Sequence, residues 1–200
     1  YDLLVQAEVG LVSLTGTTEA PAKVGVSIAD IAAGMYAYAG VLTALLTRAR
    51  TGAGTHVEVS LFDALGEWMS AAAYYTAYSG GAPPRTGAHH ATIAPYGPFR
   101  TRDGETVFIA VQNSREWTRF CGEVLGWPAL ADDDRFRTNT RRVENRDALH
   151  LAIESTLGTL AASDLVARLD AASIAHARMN AVADFVRHPQ LVDRDRWRDV

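Results

Sequence analysis

Residues 28 to 46 constrain the fold more than any other stretch of the chain. Apolar side chains run almost all the way round this helical segment: Ile28, Ile31, Met35, Tyr36, Tyr38, Val41, Leu42, Leu45 and Leu46. A helix of this kind has almost no face to show to water, so other protein or lipid must cover it. At about 19 residues it lies near the lower limit for a bilayer span. Asp30 falls in its first turn, Ala and Gly are frequent in it, and no second run like it follows. These features predict a buried core helix and no membrane partner. The helix is expected from Ser27 to about Arg50, where Arg48 and Arg50 suit the negative end of its dipole and Gly52 and Gly54 close it.

A chain of 200 residues, 48% hydrophobic and 21% charged, is long enough to bury such a helix. Its net charge of -4 leaves no basic footprint, so nucleic acid is not expected as a partner. Cys121 is the single cysteine, so no disulfide can close within the chain and no CxxC zinc spacing exists. A reducing, cytoplasmic setting is the expectation. The sequence opens on Tyr1-Asp2-Leu3-Leu4, with no initiator Met and no signal-peptide pattern, and reads as a segment of a longer protein.

Around the long helix the pattern predicts further elements. Residues 2 to 14 show helical periodicity. Thr55 to Leu61 alternates and is rich in β-branched residues, which predicts a strand, and a helix from about Phe62 to Tyr78 follows. Ser79-Gly80-Gly81-Ala82-Pro83-Pro84 is the strongest breaker cluster and marks a domain boundary. Tyr96 to Thr101 and Glu105 to Val111 flank Arg102-Asp103-Gly104 and predict a hairpin. Helices are expected from Asn113 or Ser114 to about Leu125, then over 140–159, 162–172 and 180–187.

Few residues suggest chemistry on their own. Asp30 stands three residues after Ser27, and Ser-x-x-acid before an apolar run is a capping-box pattern. Read locally, Asp30 is a structural cap. His89 and His90 are adjacent, but neighbouring side chains seldom face one ion and no ligand-spaced partner is present, so no metal is expected. The run Asp132 to Asp134 lacks calcium-loop spacing and reads as a solvated loop. Glu58 and Asp63 read as structural. Cys121, Trp117, Trp127 and Trp197 read as packing, and His56, His150 and His176 fit no functional pattern.

The order of motifs changes the reading of Asp30. Val26-Ser27-Ile28-Ala29-Asp30-Ile31-Ala32-Ala33-Gly34-Met35-Tyr36-Ala37 precedes Leu42 to Gly54, which ends Arg48-Ala49-Arg50-Thr51-Gly52-Ala53-Gly54. Val57-Glu58-Val59-Ser60-Leu61-Phe62-Asp63-Ala64 comes next. Upstream stand Tyr1 to Ala7, Gly10 and Leu14-Thr15-Gly16, and downstream Ala94 to Phe99, Asp103-Gly104 and His188-Pro189-Gln190-Leu191. This ordered set, spanning nearly the whole chain, resembles the class III (CaiB/BaiF-type) CoA-transferases, the family of formyl-CoA and carnitine CoA-transferases.

The resemblance implies an α/β fold: part of a Rossmann-like large domain, then a small α+β domain, in chains that interlock as a homodimer. Residues 1–80 would be the C-terminal part of the large domain, 81–95 a linker and 96–200 the small domain. It implies transfer of coenzyme A from an acyl-CoA thioester to a carboxylic acid, with Asp30 as the nucleophile and no cofactor beyond the CoA substrate. The tract from His89 to Phe99 is most similar to enzymes using C4 or C5 dicarboxylic acids, such as mesaconyl-CoA or succinyl-CoA transferases. His89, His90 and Tyr96 are the candidates for holding a substrate carboxylate. In the family, most CoA contacts come from an N-terminal part that this segment lacks, so no CoA-contact residue carries over. Two alternatives remain. A sister branch racemises 2-methylacyl-CoA esters and carries a His before the "DL" of the first helix, where this chain has Tyr1. A catalytically incomplete fragment acting as a binding or assembly module is the other.

Overall fold

In a computed structural model of the chain, which describes residues 1–198, the first apolar stretch is two helices. Gly10, with φ of 82°, separates α1 (Asp2–Glu8) from α2 (Leu11–Leu14). Gly16 has φ of 104° and lies so close to the backbone of Ala20 and Pro21 that a Cβ there would overlap it. The turn from Thr15 to Ala22 depends on that glycine.

The long helix, α3 (Ile28–Thr51), forms as its sequence predicts and ends on Gly52 with φ of 76°. Its surroundings differ from the expectation. It packs on α1 and on α4 (Leu61–Trp68), and only Ala29 and Ala32 are buried. Met35, Tyr38 and Leu46 are 58%, 63% and 69% exposed. The predicted burial is therefore corrected: small residues at the N-terminal end meet α1 and α4, and the larger apolar side chains face away. By length and composition alone the helix is long and apolar enough to cross a membrane.

The predicted strand over Thr55 to Leu61 is also corrected. Residues 53–60 carry no strand pairing, and helix begins at Leu61. A strand exists by its hydrogen-bonded neighbour, and none of the described residues supplies one. The segment runs close to α3, where Gly40 leaves room for Val57: a Cβ on Gly40 would stand 2.8 Å from Val57 Cγ1. The Ser60 hydroxyl then accepts the Asp63 N–H at 3.0 Å and caps α4. Met69 interrupts the predicted third helix, and α5 (Ser70–Ser79) completes it up to Gly80.

The chain divides into two compact units, Tyr1–Ala91 and the residues from Thr92 onward. The second unit contains the hairpin: β1 (Tyr96–Arg100) pairs antiparallel with β2 (Thr106–Ala110), with Pro98 opposite Phe108. Gly104 has φ of 81° and supports the turn between them. A third strand, β3 (Ala175–Arg178), pairs antiparallel with the far edge of β2. Its sequence, Ala-His-Ala-Arg, is four residues long and has no β-branched or aromatic side chain of strong strand preference, so the sequence did not predict it.

Helices cover one face of this sheet. They are α6 (Ser114–Arg119), capped by Asn113 and continued by a wider turn over Phe120–Val124, then α7 (Asn139–Glu144), α8 (Arg146–Leu157) and α9 (Ala162–Ala171). Asn145 separates α7 from α8, where one helix was predicted. Two short helices, α10 (Val182–Val186) and α11 (Pro189–Val192), follow. Phe99, Ile109, Trp117, Phe120, Ile153 and Leu165 lie in one closed core. Cys121 is buried there, and burial pushes its thiol up to about 12. Trp127 and Trp197 are about half exposed, so of the tryptophans read as packing Trp117 alone is in the core.

One cap in this unit comes from far away in sequence. The N-cap residue of α9, Ala161, has no side-chain acceptor. Instead Asp103, in the hairpin turn, accepts the Ala162 N–H at 3.2 Å on each carboxylate oxygen and the Thr101 hydroxyl at 2.5 Å. The Thr101 hydrogen bond, then the Ala162 N–H, hold its carboxyl below the usual range.

Candidate functional site

Asp30 lies in the first turn of α3 with its side chain in solvent. The local reading made it half of a capping box with Ser27, and the structure corrects this. The Ser27 side chain makes no capping hydrogen bond, and the Asp30 carboxylate has no hydrogen-bond or ion-pair partner among the described residues.

The cap comes from α1. Asp2 Oδ1 accepts the Ala29 N–H at 2.7 Å. Asp2 Oδ2 accepts from Gln6 Nε2 at 2.6 Å, and Gln6 Oε1 accepts the Val24 N–H at 3.0 Å. Gln6 is fully buried, so this network ties α1 to the chain entering α3. The sequence contained one hint of it: Asp2 and Gln6 are one helical turn apart and share a face. A helix N-terminus concentrates positive potential, so a carboxylate in its first turn stands where its charge is favoured.

Of the candidate substrate-binding residues, His89 and His90 occupy a pinned loop. Thr86 Oγ1 donates to the His89 carbonyl at 2.6 Å, and the His89 N–H donates to the Thr86 carbonyl at 3.1 Å. The Gly87 N–H reaches the Gly16 carbonyl at 2.8 Å. Arg85, which has no local sequence signal, fastens this loop to the α2–α3 connection, with Nε donating to the Thr17 carbonyl at 2.8 Å and Nη2 to the Thr18 carbonyl at 3.2 Å. His89 is half-buried and His90 exposed. Tyr96 belongs to the second unit and opens β1. There it lines a shallow cavity of about 340 Å³ on the sheet with Phe108, Ala110, Ala175 and Ala177. Asp30, His89 and His90 thus belong to one unit and Tyr96 to the other.

Helix α7 holds the chain just before β1. Asn139 Oδ1 accepts the Ala94 N–H at 3.1 Å and its Nδ2 donates to the Thr92 carbonyl at 2.8 Å. Arg142, 1% exposed, donates from Nε to the Ala94 carbonyl at 2.5 Å and from Nη1 to the Phe136 carbonyl at 3.0 Å. Its guanidinium lies 4.8 Å from the Trp117 ring centroid. Burial lowers its pKa from the usual guanidinium range. Among the described residues there is no cluster of His, Cys, Asp or Glu arranged to hold a metal. Asp133 and Asp134 pair with Arg135 and Arg137.

The pattern of CoA-transferase family III matches residues 1–200, and the chain belongs to that family. It is 34% identical over 197 residues to the acetyl-CoA:oxalate CoA-transferase of Acetobacter aceti, which covers 98% of this chain and 50% of the relative. It is 31% identical to the succinate–glutarate CoA-transferase of Agrobacterium fabrum, covering 97% of this chain and 48% of that one. A crystal structure of a CaiB/BaiF family protein from Brucella suis superposes with a TM-score of 0.81 at 36% identity, over 97% of this chain and 51% of the other. The chain therefore spans about half the length of the relatives it matches.

Proposed function

We propose that the protein containing this chain transfers coenzyme A from an acyl-CoA thioester to a carboxylic acid, with Asp30 as the nucleophile. The position of Asp30 carries the reading: an exposed carboxylate at the N-terminus of α3, beside an Ala29 N–H that Asp2 already holds. An Asp30 oxygen attacks the thioester carbonyl, the C–S bond breaks and CoA thiolate leaves, giving a mixed anhydride. The thiolate then attacks the Asp30 carbonyl carbon and expels the donor acid as a carboxylate, leaving an aspartyl-CoA thioester. The acceptor carboxylate attacks this thioester, and the two steps run in reverse to release the new acyl-CoA. Covalent catalysis of this kind divides one difficult exchange into steps that each conserve an activated acyl bond.

A C4 or C5 dicarboxylic acid is the proposed acceptor class, held through its second carboxylate by His89, His90 or Tyr96. The relative named for succinate and glutarate supports that chain length, and the one named for oxalate sets a shorter acid as its competitor. In this reading residues 1–80 belong to a Rossmann-like large domain, 81–95 are a linker, and 96–200 form the small domain. The exposed apolar side of α3 and the unpaired segment 53–60 support it, because both have the chemistry of a helix and a strand awaiting a sheet. The complete protein is proposed to act in the cytoplasm as an interlocked homodimer.

The test incubates the complete protein with succinyl-CoA and a panel of oxalate, succinate, glutarate and mesaconate. Hydroxylamine or borohydride then traps the acyl-enzyme, and peptide mapping locates the adduct. Modification of Asp30, and loss of transfer in Asp30→Ala and Asp30→Asn, are expected. Full activity in either variant overturns the reading.

A further inference from the structure

We infer that Asp2 is a positioning residue for the nucleophile: it caps the first turn of α3 at the Ala29 N–H in place of Ser27, and so keeps the Asp30 carboxylate available for attack. The inference rests on the reading of Asp30 as nucleophile and adds a second carboxylate with a separate task.

The first turn of a helix presents N–H groups without intrahelical acceptors, and a short acid at its third position ordinarily folds back toward them. An aspartate bound in that way has its oxygens aimed into the helix and its lone pairs occupied. In this chain two of those donors are already taken. The Ile28 N–H donates to the Val26 carbonyl at 2.9 Å, and the Ala29 N–H donates to Asp2 Oδ1 at 2.7 Å. Ser27 sits in the N-cap position, yet its hydroxyl makes no capping bond. The acceptor comes instead from a residue 27 positions earlier.

Asp2 is itself held in place. Gln6 Nε2 donates to Asp2 Oδ2 at 2.6 Å, and the buried Gln6 amide is fixed at its other end by the Val24 N–H. With both oxygens of Asp2 engaged, its rotamer is set by two bonds, one to its own helix and one to the helix it caps. Swinging Asp30 into the Ala29 N–H would require Asp2 to vacate it first. Two acids near one helix terminus therefore divide the work: one neutralises the first turn, the other faces solvent and substrate. A hydrogen-bonded carboxylate is the poorer nucleophile, and small misplacements of a reacting group are expensive in rate.

The experiment uses the complete protein and measures kcat, KM for both substrates, and the fraction of Asp30 trapped by hydroxylamine. Asp2→Ala frees the Ala29 N–H to capture Asp30; kcat per folded molecule is expected to fall roughly tenfold or more with KM within about twofold, and trapping to fall in parallel. Asp2→Asn still offers an oxygen to the Ala29 N–H and is expected to recover most of kcat. A merely structural role would lower the folded fraction and leave kcat per folded molecule unchanged; that result, or equal impairment of Asp2→Ala and Asp2→Asn, overturns the inference. Should Asp2→Ala not fold, Gln6→Leu removes the bond that orients Asp2: a fall in kcat at constant KM supports the inference, and unchanged kcat overturns it. Asp30→Ala separates the two readings. If it stays active, the nucleophile reading fails; if it is dead while Asp2→Ala turns over normally, only the positioning role fails.

Discussion

The two units of this chain solve the same problem to different degrees. From Thr92 onward, three strands and four main helices close a core in which Phe99, Trp117, Ile153 and Leu165 are almost completely out of water. In Tyr1–Ala91 the longest helix of the chain buries two alanines, and its Met, Tyr and Leu side chains stay exposed. Each of those large side chains would contribute about 1.5–3 kcal/mol on full burial, so α3 holds a considerable unused driving force. The difference teaches where to look for function and where for stability. The open unit carries the candidate nucleophile on a helix end fixed by a few polar bonds. The closed unit carries the packing that keeps the second half folded.

The contrast is most sharply broken by paired truncations. Ile153→Ala removes a fully buried side chain from the closed core and is expected to cost about 2–5 kcal/mol in this 200-residue chain, read by denaturant unfolding. Leu46→Ala, on the open face of α3, is expected to stay within about 0.5 kcal/mol there. In the complete protein Leu46→Ala should rise to a core-like cost if α3 is covered. A large effect of Leu46→Ala in this chain alone would mean that the first unit is not open.

A smaller effect tests how the closed unit holds its entry strand. Arg142→Ala leaves the Ala94 and Phe136 carbonyls without their donor in a buried place, and a loss of about 2–3 kcal/mol is expected in the same unfolding measurement. Arg142→Lys keeps the charge but not the fork that reaches two carbonyls, so it should recover only part of the loss. Recovery to the parent value would show that charge alone matters there.

The smallest expected effect is a pH dependence confined to the closed unit. The His150 ring lies 5.0 Å from the Phe99 ring, and burial, followed by the Arg146 charge, lowers its pKa from the usual value. A histidine with a folded pKa below its unfolded one binds protons better when unfolded. Its contribution is therefore intact above the ordinary value of about 6.5 and declines as pH falls through the window below it. Thermal unfolding between pH 7 and pH 5 should show this decline, and His150→Gln should flatten it. An unchanged slope in that variant would assign the pH dependence to other groups.

Elements whose signals are local were legible in the sequence. The ends of α3, the hairpin at Arg102-Asp103-Gly104 and the Asn113 cap follow from periodicity, turn chemistry and short-range hydrogen bonding. What could not be read was set by partners distant in sequence. Four residues of unremarkable propensity become β3 because the edge of β2 accepts them. The alternating, Val- and Thr-containing stretch from 55 to 60 remains unpaired because no described strand lies beside it. At the candidate site the position of Asp30 was legible and its freedom was not. The capping box was a sound local pattern, but a local pattern cannot register that a residue of another helix, Asp2, caps the turn at the Ala29 N–H.

The sequence by itself determined that α3 must be a helix, that Asp30 starts it, and that its apolar surface calls for cover. Only the tertiary structure decided which groups satisfy the helix ends. Asp2 reaches α3 and Asp103 reaches α9 across 27 and 59 residues, each filling a cap its own helix leaves open. The physical reason is common to both. Helical periodicity is written into consecutive side chains, whereas an orphan N–H takes whichever oxygen the fold brings within 3 Å or so, and chain separation does not enter that bond.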